Sequence, residues 1–235
     1  MRFCYFVTYE NADPAARLSD ADKDAVAALV AATPGLRRAD IHTPAVTTDI
    51  YTADGHSPQL ALQLYFDDLE HLEAAIAADG HLQGLARPGA FPSLAGATAT
   101  QQVMHARHFP IAGGGATKSP GCSFLVHYPG PAQDMNAWLS HYIASHPPIM
   151  RRFPGIRQIE ILSRVDWIDA MPFARVEHMQ RNRVVFDSPE ALTAALQSEV
   201  RHEMRADYHK FPPFEGDSFH FPVITETIRP AAKPR

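Results

Sequence analysis

The residues best equipped for chemistry crowd into WLSHYIASHPPIMRRFPG, positions 138–155, which carries Trp138, His141, Tyr142 and His146. An α-helix turns once in 3.6 residues, so Met135, Leu139, Tyr142 and His146 fall on one stripe of it. That stripe is expected to face the sheet the helix packs against. A histidine buried there suits proton transfer, because its unperturbed pKa lies near neutrality. A phenol beside it can orient it, or can donate to a developing oxyanion. His127, His202, His209 and Tyr208 are further candidates for proton transfer; Trp138, His141, Asn182 and His220 are candidates for contact with a substrate. If 198–210 is helical, His202 and His209, seven apart, share a face. The plainer readings are a core histidine with its ring satisfied at 146, a satisfied strand histidine at 127, and ordinary core aromatics at 138 and 142.

These residues need elements to hold them, and the elements are repeated. A shift of 120 positions places Pro34-Gly35-Leu36-Arg37 on Pro154-Gly155-Ile156-Arg157, Asp40-Ile41 on Glu160-Ile161, and Phe66-Asp67 on Phe186-Asp187. Phe91-Pro92 falls on Phe211-Pro212, and Gly96 on Gly216. Two copies are too few for a solenoid, so the pattern is that of a fused pair. The first copy (1–110) reads as strand 2–9, a helix capped by Ser19, strands 36–43 and 59–66, a helix after Asp67-Asp68, and strand 98–107. The second (122–228) reads as strand 122–128, helix 133–146 stopped by Pro147-Pro148, strands 156–163 and 179–186, helix 188–197, a helical segment 198–210, and strand 218–226. That order, βαββαβ twice, predicts an α+β protein of two ferredoxin-like units packed sheet to sheet as an intramolecular α/β barrel. The glycine-rich stretch 111–121 reads as a flexible linker, and the tail after Thr227 as loose.

The repeat serves as its own control. His146 falls on Val26 or Ala27; His202, Tyr208 and His209 fall on Leu82, Pro88 and Gly89. Asn182 replaces Leu62, and His220 replaces Thr100. Unpartnered buried polar groups cost about 1–3 kcal/mol each, so such a cluster calls for an internal network or a wet pocket. The first copy therefore reads as structural and the second as the carrier of the site. Arg181 and Arg183 alternate on the strand face opposite Asn182 and are expected to pair across the sheets.

Composition removes several classes of function. A formal charge of −5 over 235 residues is wrong for a general nucleic-acid binder. No apolar run is long enough to span a bilayer, and MRFCYFVTY reads as a first strand rather than a signal peptide. Two cysteines, Cys4 and Cys122, both in apolar runs, suggest a reducing compartment, and the expected location is the cytoplasm. The chain has no glycine-rich phosphate loop and no GxSxG elbow. The spacings among His141, His146, His202 and His209 match no common zinc pattern, so neither metal nor other cofactor is expected.

The aromatic position, His146-Pro147-Pro148-Ile149, and then Phe153-Pro154-Gly155 before a strand resemble the EthD-type branch of the dimeric α/β-barrel proteins. The resemblance is best over 122–226. It implies a barrel that two chains usually build and one chain holds here, with His146 matching the family's helix histidine and Trp138 or Tyr142 the preceding aromatic. It also implies a small-molecule enzyme, several relatives of which work without a cofactor. The expectation is a cofactor-independent lyase or isomerase of a small aromatic or lactone-like catabolite, with His146 as general base or acid. The alternatives are a non-catalytic small-ligand-binding barrel and a haem- or metal-dependent enzyme. A homodimer is compatible with either.

Overall fold

A computed structural model describes residues 1–112 and 117–230; the Gly113–Gly115 run of the expected linker and the last five tail residues lie outside it. The first half contains β1 (Phe3–Glu10), α1 (Asp20–Ala31), β2 (Arg38–Pro44), β3 (Leu60–Phe66), α2 (Leu69–Ile76), two short 3-10 turns and β4 (Thr98–Phe109). The second contains β5 (Gly121–Tyr128), α3 (Met135–Met150), β6 (Gln158–Arg164), the two-residue β7 (Ala174–Arg175), β8 (Gln180–Phe186), α4 (Pro189–Leu196), α5 (Glu199–Tyr208) and β9 (Phe219–Ile228). Polar caps start four of the helices, Ser19 and Asp68 as anticipated and Asp134 and Ser188 in addition, each accepting a backbone N–H from the first turn. Gly35 and Gly155 have φ of 77° and 75°, a conformation a β-carbon would strain, so both must be glycine after their prolines.

Eight strands close into one antiparallel barrel in the order β1-β3-β2-β9-β5-β8-β6-β4, with β4 returning to β1. The halves are hydrogen-bonded edge to edge as well as facing each other, through β2–β9 and β4–β6. β4 serves both sheets, pairing with β1 along Thr98–His105 and with β6 along Met104–Phe109. Closure leaves no open edge in the ring.

Strand alternation then sorts the side chains into two environments. Outward-facing Tyr5, Val7, Leu62 and Leu64 pack under Val26, Val30, Leu72 and Ile76 of the first-half helices. Outward-facing Phe124, Val126, Ile161 and Val184 pack under Trp138, Tyr142, Leu192 and Met204 of the second-half helices. The lumen is polar: Arg38, Asp40, Glu160 and Arg183 form buried ion pairs there. Arg183 thus pairs across the sheets as expected, whereas Arg181 contacts no carboxylate among the described residues.

One boundary differs. The sequence stops the helix at His146, but α3 runs on through Pro147 and Pro148 to Met150. Proline removes its own N–H yet leaves its carbonyl free, and the Pro147 oxygen accepts from Arg151 N at 3.1 Å, so the helix resumes. No helix among the described residues is long and apolar enough to cross a membrane.

His42, fully buried in the lumen between Thr225 Oγ1 (3.0 Å) and Gln63 Oε1 (3.1 Å), ties folding to pH. Burial pushes its pKa down from 6.5 to about 4. Between those values the unfolded chain binds a proton that the folded one refuses, so stability falls as pH drops from 6.5 toward 4. Denaturant unfolding at pH 6.5 and pH 5 is expected to show His42→Gln losing about 2 kcal/mol less than the wild-type chain over that interval.

Candidate active site

The site is built on the outer face of the second half, where α3 and α5 cross the sheet. His146 and Tyr142 both point inward as the stripe predicts; Tyr142 is sealed and His146 is 4% exposed. Asp207, on α5, meets His146 across the helix pair: Asp207 Oδ2 accepts from His146 Nδ1 at 2.7 Å. Ser145 Oγ lies 3.0 Å from the same oxygen, and His141 Nε2 3.8 Å from Asp207 Oδ1. An Nδ1–H held by a carboxylate leaves Nε2 as the acceptor nitrogen, which is the tautomer a general base needs. Nε2 makes no hydrogen bond among the described residues, and His146 lines a cavity between helices and sheet.

Phe124, Val184, Met150, Met204, Asn182 and His220 share that cavity wall with His146. Asn182 Nδ2 donates to the Tyr142 hydroxyl at 2.6 Å, while its Oδ1 is buried without a partner. His220 stacks on Phe124 and is gripped at Nδ1 by Asp54 Oδ2 at 2.7 Å. Arg201, also on the wall, is clamped by Asp49 through Nε (2.9 Å) and Nη2 (2.7 Å). Asp49 and Asp54 belong to the 45–59 connection of the first half, so both halves contribute to the site.

Electrostatics sets the protonation states. Burial lowers the His146 pKa and outweighs the opposing pull of Asp207, so the ring is neutral at neutral pH. Burial works to raise the Asp207 carboxyl, but the bonds from His146 and Ser145 overcome it and hold it below the ordinary carboxylate value. Asp54 is lowered chiefly by its bond from His220. Burial raises the Tyr142 phenol far above its usual range, which keeps its proton on.

The remaining candidates are not brought here. His127 sits in the lumen, on the opposite side of the sheet, because strand alternation sends it away from Phe124, Val126 and Tyr128. His202 and His209 do share a region of α5, but it faces solvent; His202 bonds Tyr51, and His209 ends the helix. Tyr208 is half-buried and its hydroxyl donates to Asp217. Trp138 is core, stacked on Tyr142 at 5.1 Å. Asp207 and Arg201 were missed because attention to histidines passed over the acid and base on the buried face of the same segment. Asp49 and Asp54 carried no signal, since a long loop gives no register.

No protein-family model matches the chain, and curated proteins give no significant match. Solved structures do. An anthrone oxidase-like protein aligns over 99% of this chain and 95% of its own at 13% identity, with a TM-score of 0.61. A proposed monooxygenase from Fusobacterium nucleatum subsp. nucleatum aligns over 98% and 94% at 8% identity, TM-score 0.52. An EthD family protein from Bacillus halodurans aligns over 42% of this chain and 96% of its own at 21% identity; its TM-score of 0.33 carries no argument. The likeness is one of fold. It agrees with the α+β barrel expected from the sequence and observed here as one closed ring of eight strands.

The open space beside His146 is about 40 Å³, far below the ~300 Å³ at which ligand pockets begin. As placed, the wall admits neither a haem nor a flat substrate body without moving. Among the described residues no three His, Cys, Asp or Glu side chains gather to hold a metal ion.

Imidazole ¹⁵N NMR of the wild-type chain is expected to show a single Nδ1–H tautomer at His146, and Asp207→Ala to replace it with a mixture of the two. The same change should destabilise the fold by about 1–3 kcal/mol, since it orphans buried donors.

Proposed function

We propose that this chain is a small-molecule enzyme that works by proton transfer, with His146 Nε2 as general base. The observation that carries this reading is the geometry of one side chain: a buried, neutral imidazole, oriented by Asp207 at 2.7 Å, with its free nitrogen toward a cavity. The substrate class is a small aromatic or lactone-like carbon acid, and the chemistry that of a cofactor-independent lyase or isomerase. His146 takes the proton, the electron pair of the broken C–H bond moves into an adjacent carbonyl or expels a leaving group, and the His146 imidazolium returns the same proton to another substrate atom or to that leaving group, which restores the neutral ring. Asn182 Oδ1, sealed and without a partner among the described residues, is an acceptor that movement of the wall would expose to a substrate hydroxyl. Apolar walls from Phe124, Val184 and Met150 suit a flat apolar body. Entry requires room beyond the space now open, and Met150 and Met204 are the flexible wall side chains able to provide it.

The likeness to an anthrone oxidase-like protein and to a proposed monooxygenase supports an enzyme acting on a small molecule, without choosing the reaction. Deprotonation by His146 is the first step shared by elimination and isomerisation. Retro-aldol cleavage begins with the same base on a substrate hydroxyl.

A panel of aromatic and lactone-like carbon acids incubated in D2O tests the reading, with exchange and product followed by NMR. The wild-type chain is expected to exchange a substrate proton, and His146→Gln to slow it by about 10²–10⁴-fold with binding retained. Equal rates in both proteins would remove His146 as the base. Binding without exchange or turnover in the wild type would make the barrel a ligand carrier.

A further inference from the structure

The lumen holds one charge that the fold leaves uncompensated. Arg181 is 2% exposed, yet no carboxylate of the described residues lies within ion-pair distance of it. Its neighbour Arg183, two residues along the same inward face, reaches both Asp40 and Glu160. Arg181 instead donates from Nε to Gln102 Oε1 at 3.2 Å and from Nη1 to His127 Nε2 at 3.0 Å. Its guanidinium lies over the Phe6 ring, 4.2 Å from the centroid. Nη2 makes no hydrogen bond among the described residues, and the side chain as a whole is buried. The surroundings are aromatic and neutral: His127 packs against Phe6, Phe221 and His178 at 5.1–5.4 Å between ring centroids. His178 stands half-buried at this end of the barrel.

Burying a guanidinium without a counter-charge costs several kcal/mol, and a protein normally supplies an acid or a ligand. Here it supplies an acceptor amide and an imidazole. We propose that Arg181, with His127 and His178, forms an anion site at this end of the lumen, taking a small carboxylate or oxyanion. It lies on the opposite face of the sheet from the His146 cavity and is independent of it. An arginine fork matches a carboxylate or phosphate edge, and Nη2 is the donor left for it. His127 and His178 add N–H donors by changing tautomer or taking a proton as the anion enters. Burial and the nearby guanidinium hold both rings neutral, His178 with a pKa pushed down to about 3, and burial lowers Arg181 to about 9. Of the acids, only the exposed Glu10 bears on Arg181, together with the buried Cys4 thiol.

The test uses the whole chain, wild type and Arg181→Gln, in low-salt buffer at neutral pH. Inorganic phosphate, acetate and chloride are titrated separately while the melting temperature is followed. A ligand that binds only the folded state raises stability with concentration, and general salt effects appear equally in both proteins. The expected result is a saturable rise in the wild type with at least one anion, absent in Arg181→Gln; the responding arm tells a carboxylate site from an oxyanion or halide site. Superimposable responses in the two proteins with all three anions would overturn the proposal. Should Arg181→Gln fail to fold, the His127 and His178 imidazole NMR signals of the wild type decide. A saturable shift of these signals supports the site, and no shift with any of the three anions overturns it.

Discussion

Four charges in the lumen hold the two halves in one register. Arg38 and Asp40 come from β2, Glu160 from β6 and Arg183 from β8. Each arginine contacts both acids, at 2.6–3.1 Å. Burial alone would raise the Glu160 carboxyl, but the two guanidinium groups overcome it and hold the group well below the usual carboxylate range. Such a ring adds little net stability over a packed apolar lumen, yet breaking it leaves a buried charge unpaired at a cost of about 3–5 kcal/mol. Its effect is selective. A one-residue slip of β2 at its seam with β9 would turn Arg38 and Asp40 out of the lumen, and a slip of β6 at its seam with β4 would turn out Glu160, orphaning the partners in either case.

The four charges occupy the middle of the lumen, and the His146 cavity lies instead on an outer face of the barrel. The first-half face is closed by aliphatic packing, with Val26, Val30 and Leu72 all fully buried. The second-half face places Tyr142, His146 and Asn182 at the matching depth and leaves space between them. Apolar closure there would be simpler, so the polar groups carry a folding cost, and the proposed proton transfer gives a reason for it. The first half still contributes, since Asp49 and Asp54 cross from its 45–59 connection to hold Arg201 and His220. The proposed site is therefore composite, and the second half alone would have His220 and Arg201 without their acids.

The strands and helices were legible because their signals are local. Alternation in Leu62, Leu64 and Phe66, the cap at Ser19 and the Pro-Gly stops each depend on a few adjacent residues. The inward turn of Tyr142 and His146 was legible for the same reason, through helical spacing. The partners were not. Asp207 lies 61 residues from His146 and Asp54 166 from His220, and their pairing depends on how α5 and a long loop settle on the sheet. Residue type alone does not place a side chain: His127 lies on the lumen face of its strand, and His202 and His209 on the wet side of their helix. A one-dimensional reading weights residue type, whereas the site depends on facing.

The continuation of α3 past His146 shows how a local rule yields to packing. Two prolines remove the backbone donors that would bond Ile143 and Ala144, and a proline inside a helix costs about 3 kcal/mol or more. Stopping at His146 would release the chain four residues early, about 6 Å short at 1.5 Å per residue. Met150 would then miss the cavity wall, and Phe153 and Ile156 would leave the core they share with Phe186. Burying those three side chains contributes roughly 1.5–3 kcal/mol each, enough to offset the missing bonds. The same continuation holds the His146 ring between Tyr142 at 4.8 Å and Phe211 at 5.0 Å, with Asp207 on its nitrogen. The ring is thus fixed by its neighbours rather than by the regularity of its helix, so the prolines that follow it do not loosen it.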